Sequence, residues 1–373
     1  MTKAEKVFVG LSGGVDSSVA AYLLKKAGFD VTGVYLRCYN LDGCSERDSE
    51  DARRVAEHLK IPFYVWDFEK EYKERVVEYM VDGYKNGLTP NPDVECNREV
   101  KFGLFLERAL RVGADFVATG HYVRLQKEKQ GGKIVHQLYA AEDKNKDQSY
   151  FLWTLTQKQL AHALFPLGDL EKPAVRKLAL GAGLPTATKK DSQGICFLGM
   201  VGMEEFLKTR LPVVNGEVQT LTGEKIGEHE GAHFYTIGQR HGLNLSNKRQ
   251  TKSLRREEEK KENMGAHYVV SKNVKTNTVT VAEGSDNPAL FKKEMVLTGV
   301  VLASPLKSGT TLKVMARVRY RQPLSPATLA IKAKEKAALI FDTPQKFVAE
   351  GQSAVVYDAQ GRMLGGGVIV SAS

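Results

Sequence analysis

Two glycines set between an apolar strand and a helix constrain this chain more than any other feature. The run Gly10-Leu11-Ser12-Gly13-Gly14-Val15-Asp16-Ser17 follows the apolar stretch Val7 to Leu11 and opens a helical stretch from Ser17 to Ala27. Glycines let backbone amides turn toward an anion with no Cβ in the way, and a helix that starts there aims its positive dipole end at the same spot. Strand, loop and helix in that order predict an α/β sheet with a phosphate seat at the carboxyl end of a strand. No Gly-Lys-Ser/Thr follows, so the lysine that reaches the β and γ phosphates in a Walker loop is missing.

The first 120 residues continue the same rhythm. Strand-like runs at Val31 to Leu36 and Phe63 to Phe68 alternate with helical patterns at Ser49 to Leu59, Glu69 to Tyr84 and Arg98 to Val112. Such alternation predicts a Rossmann-like parallel sheet wrapped by helices. A further buried-type strand, Asp115 to Gly120, ends at His121, so the Ser12 loop, the segment after Leu36 and the Gly120-His121 corner should converge on one crevice. Past residue 200 short glycine-punctuated strands take over, and from about Glu294 alternating strands, among them Lys313 to Tyr320, suggest a small antiparallel β-barrel. The expected domains are 1–203 (catalytic), 204–292 (small, β-rich) and 293–373 (barrel). A charged insertion at 246–264 carries seven Lys or Arg against four Glu, a composition that buries little.

A length of 373 residues suits two or three domains. Lys plus Arg exceed Asp plus Glu by 54 to 44, and a formal charge of +10 favours a polyanionic partner. No apolar run approaches the roughly 20 residues that cross a bilayer. Met1 to Lys6 is too short and polar for a secretory signal, so a cytoplasmic location is expected. The four cysteines, Cys38, Cys44, Cys96 and Cys196, are too few and scattered for a disulfide scaffold, and no metal site is expected from them.

Two of these thiols sit in segments rich in turn-forming residues. In Gly87-Leu88-Thr89-Pro90-Asn91-Pro92-Asp93-Val94-Glu95-Cys96-Asn97 the prolines predict an irregular loop that brings a carboxylate within three residues of a thiol. In Lys189-Lys190-Asp191-Ser192-Gln193-Gly194-Ile195-Cys196-Phe197 the lysines would favour a thiolate if they fold near it. Neither cysteine lies on a periodic apolar face, which sets both apart from inert core cysteines.

The loop Ser12-Gly13-Gly14-x-Asp16-Ser17 resembles the signature of ATP pyrophosphatases. Together with Thr89-Pro90-Asn91-Pro92-Asp93, Cys96-Asn97, Gly120-His121-Tyr122, Lys146-Asp147-Gln148-Ser149, Gly194-Ile195-Cys196-Phe197, Arg319-Tyr320 and Gly351-Gln352, it makes nearly the whole chain similar to the tRNA-specific 2-thiouridylases. The resemblance implies adenylation of O2 of the wobble uridine, position 34, followed by sulfur transfer from a persulfide. It implies catalytic roles for Cys96, Cys196 and Asp93. ATP would be bound by Gly10, Leu11, Ser12, Gly13, Gly14, Val15, Asp16, Ser17, Leu36 and Gly120, with Mg2+ as counter-charge. The target base and tRNA would meet Asn91, Pro92, Asp93, His121, Lys146, Asp147, Gln148, Arg319, Tyr320 and Gln352. Expected partners are the tRNAs for Lys, Glu and Gln and a sulfur donor such as a cysteine desulfurase or relay protein, with a monomeric enzyme gripping the RNA. The charged insertion departs from the family pattern. Rival readings are an adenylating enzyme in which an amine displaces AMP, a non-catalytic RNA-binding protein, and an iron–sulfur cluster held by Cys96, Cys196 and one oxygen ligand or Cys38.

Overall fold

A computed structural model describes residues 4–38, 44–190, 202–245, 265–304 and 306–373. Cys196 and the charged insertion lie outside the described residues, and so do the expectations that fall on them.

The amino-terminal half runs β1 (Lys6–Gly10), α1 (Val15–Lys26), β2 (Asp30–Arg37), α2 (Cys44–Leu59) and β3 (Phe63–Asp67). It continues through α3 (Glu69–Tyr72), α4 (Glu78–Lys85), α5 (Pro92–Glu95), α6 (Phe105–Arg111), β4 (Phe116–Ala118), the hairpin β5 (Arg124–Gln130) and β6 (Lys133–Tyr139), α7 (Gln157–Leu160), β7 (Ala163–Leu164) and α8 (Lys172–Gly181). Strands β3-β2-β1-β4-β7 form one sheet, parallel throughout. In β2 the five residues Val31 to Tyr35 are buried in an unbroken run, as expected of a strand covered on both faces. Asp16 in the first turn of α1 and Lys25 and Lys26 in its last complement the helix dipole.

After α9 (Met203–Lys208), strands β8 (Gly216–Gln219), β9 (Lys225–His229), β10 (Asn244–Leu245), β11 (His267–Asn273) and β12 (Thr278–Glu283) make a second sheet in the order β10-β9-β8-β12-β11. Strands β13 (Phe291–Leu302), β14 (Thr311–Arg317), β15 (Ser325–Ala333), β16 (Lys336–Lys346), β17 (Ser353–Tyr357) and β18 (Met363–Ala372) close into an antiparallel barrel. Closure leaves no open edge. Inward residues such as Val314, Ala316, Leu329, Leu339, Phe341 and Ile369 fill it. One apolar cluster runs through all three sheets, from Phe8 and Val117 through Val218 and Val279 to Val355 and Met363, so the barrel and the middle sheet are packed onto the α/β unit.

Three local expectations are corrected. The helix predicted over Glu69 to Tyr84 is interrupted by a π turn, Lys73–Val77, and runs on to Lys85. The predicted irregular loop through Asp93 and Cys96 is helical. Asn91 caps it by accepting the Val94 N–H, Pro92 takes the first position, where its missing N–H costs nothing, and a π-helical segment Cys96–Leu104 carries it into α6. The strand predicted over Lys313 to Tyr320 stops at Arg317, so Arg319 and Tyr320 lie in the turn beyond.

Candidate nucleotide and thiol site

The glycine loop leaves β1 with the Leu11 N–H donating to the Val34 carbonyl at 2.8 Å. Gly13 adopts φ +71°, and a Cβ there would fall 2.3 Å from the Asp48 carbonyl oxygen, so conformation and space both demand glycine. The loop holds its shape through hydroxyls: the Ser12 N–H donates to Ser17 Oγ at 3.1 Å, and Ser17 and Ser18 donate to the Gly14 carbonyl at 3.1 and 2.8 Å. Gly14 caps α1 without a side chain. The first-turn amides of α1 therefore keep their capacity for an outside acceptor, and the helix dipole favours an anionic one.

Gly120 fixes the opposite wall. A Cβ on it would stand 2.7 Å from the Ser17 nitrogen and 2.8 Å from the Asp16 carbonyl carbon, so the end of β4 presses on the start of α1. The next residues extend that contact. Tyr122 donates its hydroxyl to Asp16 Oδ1 at 2.8 Å, and Lys172, at the start of α8, reaches Asp16 Oδ1 and Oδ2 at 2.6 and 2.8 Å. Nothing in the sequence singles out Lys172, since 156 residues separate it from Asp16. It supplies this loop with a cation from a different element than a Walker lysine would. Leu36, at the carboxyl end of β2, packs against the main core beside the crevice.

On the helix that follows Asn91, Asp93 is partly buried, and burial pushes its carboxyl above the ordinary value while Lys101 opposes the shift. Cys96 is 4% exposed and belongs to the main apolar cluster, so the polar residues around it in sequence do not keep it at the surface. Its neighbour Asn97 is 2% exposed, donates to the Phe151 carbonyl at 3.2 Å, and leaves Oδ1 without a partner. His121 is buried, hydrogen-bonded through Nδ1 to Thr119 Oγ1 at 2.7 Å, and held well below its usual pKa first by burial and then by Lys101. Lys101 thus acts on Asp93 and His121 together. The sequence offers no sign of this, because His121 lies twenty residues further along the chain.

The residues expected to meet RNA divide into two groups. Asp147 is 4% exposed and accepts from the Ala141 and Ser149 amides at 3.0 and 3.1 Å, from Ser149 Oγ at 3.1 Å and from Arg317 at 2.5 Å. Its carboxylate joins the α/β unit to the barrel. Gln148 accepts the Tyr122 N–H at 3.0 Å and Lys146 is half-buried in the preceding turn. Gln352 donates to the Thr89 and Pro90 carbonyls at 2.8 and 3.3 Å, Arg319 donates to the Ile237 carbonyl at 3.2 Å, and the Tyr320 ring lies 4.5 Å from that of Phe151. Three units therefore meet around Thr89 to Asp93. Lys189, expected as a neighbour of the second thiol, is engaged by Asp48 and Asp51 at 2.7 and 2.6 Å; Cys196 itself lies outside the described residues.

An α/β nucleotide-loop domain packed with a closed six-stranded barrel, with a buried thiol in the core they share, defines the class. Family models match the chain as "tRNA methyl transferase HUP domain" over residues 5–200, "tRNA methyl transferase PRC-barrel domain" over 204–283 and "Aminomethyltransferase beta-barrel domain" over 292–369. Among its relatives, tRNA-specific 2-thiouridylase MnmA of Flavobacterium johnsoniae is 42% identical, covering 98% of this chain and 100% of that protein. The protein of the same name from Streptococcus mutans is 43% identical over 98% and 95%, and MnmA 1 of Geobacillus kaustophilus 44% over 95% and 93%. This chain belongs to the tRNA-specific 2-thiouridylase family of enzymes.

Proposed function

We propose that this chain replaces O2 of the uridine at position 34 of tRNA with sulfur, using ATP and releasing AMP and pyrophosphate. Support comes above all from the corner Thr119 to Tyr122. One side of it meets the phosphate loop through Gly120 and Tyr122; the other, through His121, shares Lys101 with Asp93 on the helix that carries Cys96.

Uracil O2 attacks the α phosphorus, the bond to the β phosphate breaks, and pyrophosphate leaves from the amides of Ser12 to Ser17. A persulfide on Cys196 then adds its terminal sulfur to C2, and AMP departs with the former O2. The Cys96 thiolate attacks the inner sulfur, forming a Cys96–Cys196 disulfide and leaving sulfur on the base; a thiol reductant resets the pair. Asp93, with its raised pKa, is the acid or base, and Asn91 and Pro92 frame the extruded base, which an anticodon loop already holds single-stranded. Among the described residues no group of three or more His, Cys, Asp or Glu could hold a metal. Mg2+ is assigned to the triphosphate as counter-charge. The tRNAs for Lys, Glu and Gln are the proposed substrates, a cysteine desulfurase or relay protein the sulfur source, and a cytoplasmic monomer the working form. Among the described residues no helix is long and apolar enough to cross a membrane.

Nucleosides from tRNA incubated with the protein, ATP and a persulfide source should show, by mass spectrometry, sulfur replacing oxygen on one uridine. Cys96→Ser should abolish the product. Retention of full turnover in that variant would move the protein to the amine-using adenylating enzymes.

A further inference from the structure

The hairpin of β5 and β6 takes no part in the site above, yet its surface is organised. Gly131 and Gly132, at φ +56° and +80°, make a two-residue turn with both φ positive, the form that matches the twist of a hairpin. The pairs Leu125 with Leu138, Lys127 with His136 and Lys129 with Ile134 share one face; Gln126 with Gln137 and Glu128 with Val135 share the other.

The second face is fastened to the barrel. Gln137 donates to the Met363 carbonyl at 2.5 Å, and Glu128 accepts from Tyr139 and lies 3.9 Å from Arg362. The first face is anchored only at its base, where Leu138 is 1% exposed and Gln157 of α7 pairs with the His136 backbone through two 2.8 Å hydrogen bonds. Beyond that base it carries cations. Lys127 and Lys129 are exposed, and Ile134, paired across from Lys129, is 62% exposed. Lys127 and His162 both face His136 and help burial to lower its pKa. Among the described residues no ion pair engages Lys127 or Lys129, and the one carboxylate of the hairpin, Glu128, belongs to the other face.

Like charges held together with no acidic partner repel one another until an anion arrives. Lys127 and Lys129 are about 7 Å apart along their strand, given roughly 3.4 Å per residue. That spacing is comparable to successive phosphates on one nucleic-acid strand. The hairpin springs directly from His121-Tyr122, so its lysines lie within one strand length, about 20 Å, of the corner at the phosphate loop. We infer that the exposed face of the β5–β6 hairpin, through Lys127 and Lys129, is a docking surface for the phosphate backbone of the tRNA arm that presents the target base. This rests on the proposed tRNA substrate.

The test compares the wild-type chain with K127Q/K129Q and with K127R/K129R, both at exposed positions, by titrating unmodified tRNA across salt concentrations. The Gln variant should bind at least tenfold more weakly near 0.1 M salt. Each phosphate no longer neutralised by a lysine lowers the slope of log affinity against log salt by about 0.7 to 0.9, so removing both lysines should lower it by about 1.4 to 1.8. Saturating tRNA should restore its turnover, and the Arg variant should bind as the parent does. A Gln variant with unchanged affinity and slope overturns the inference, and would leave the face to an acidic protein partner. The thiolation reading fails separately, if the wild-type chain forms no thiolated nucleoside while these binding differences persist.

Discussion

Arg317→Met should destabilise the fold by about 3 kcal/mol, and the reason lies in how the barrel is fastened. The Arg317 and Asp147 side chains are 6% and 4% exposed and 2.5 Å apart, with Ser149 Oγ and the Tyr357 hydroxyl on the same guanidinium nitrogen at 3.1 and 2.7 Å. Removing one member of a buried pair costs about 3–5 kcal/mol, because the other charge is left uncompensated. The low end applies here. Asp147 keeps the Ala141 and Ser149 amides and Ser149 Oγ, and methionine removes Arg317 Nε, which is buried without a partner. Asp147→Asn should cost a similar amount, and the double variant less than the sum by about 2 kcal/mol. Urea midpoints at constant slope measure all three. Trp153, bonded to Ser353 Oγ at 3.0 Å, gives the fluorescence signal at the junction itself. Single variants that each lose under about 1 kcal/mol, or that simply add, would refute the clamp. An Asp147→Asn protein as stable as its parent but weak in tRNA binding would return Asp147 to the RNA surface.

Gly120→Ala should weaken ATP binding by at least about tenfold, some 1.4 kcal/mol, since the added carbon meets backbone atoms of Asp16 and Ser17 below 3 Å; calorimetric titration of ATP reads it, and parental affinity would show that the corner does not shape the loop. Lys101→Met removes the cation that holds Asp93 and His121 down. The carboxylate form of Asp93 is then lost at a higher pH, and the acid limb of the thiolation rate should move up, while a fixed limb would exclude Lys101 from this role. Burial pulls the Lys272 ammonium down to about 8, against the pull of Glu350. Between that value and the ordinary 10.5 the unfolded chain binds the proton that the folded one has released, so stability rises with pH across this window. Denaturation midpoints of Lys272→Met should lack that share of the rise, and identical pH dependence in the two proteins would contradict it.

Much is legible from local chemistry. The strand, glycine loop and helix are readable because a phosphate seat needs those residue types in contiguous order, and the barrel because period-two alternation marks half-buried strands. The segment from Thr89 to Asn97 misleads for a physical reason: proline breaks a helix interior but suits its first turn, and sequence alone does not say which position Pro92 occupies. Arg319 and Tyr320 continue the alternation of a strand that a turn with Arg321 at φ +64° ends.

Sequence by itself thus determined the elements and the residue types at the loop and the thiol, since these depend on neighbours a few positions apart. Tertiary structure alone decided that Lys172 answers Asp16 and that Lys101 acts on both Asp93 and His121. It also turned Asp147 inward to Arg317, 170 residues away. Charge pairing and desolvation act through space, so which cation meets which carboxylate exists only once the three units have packed.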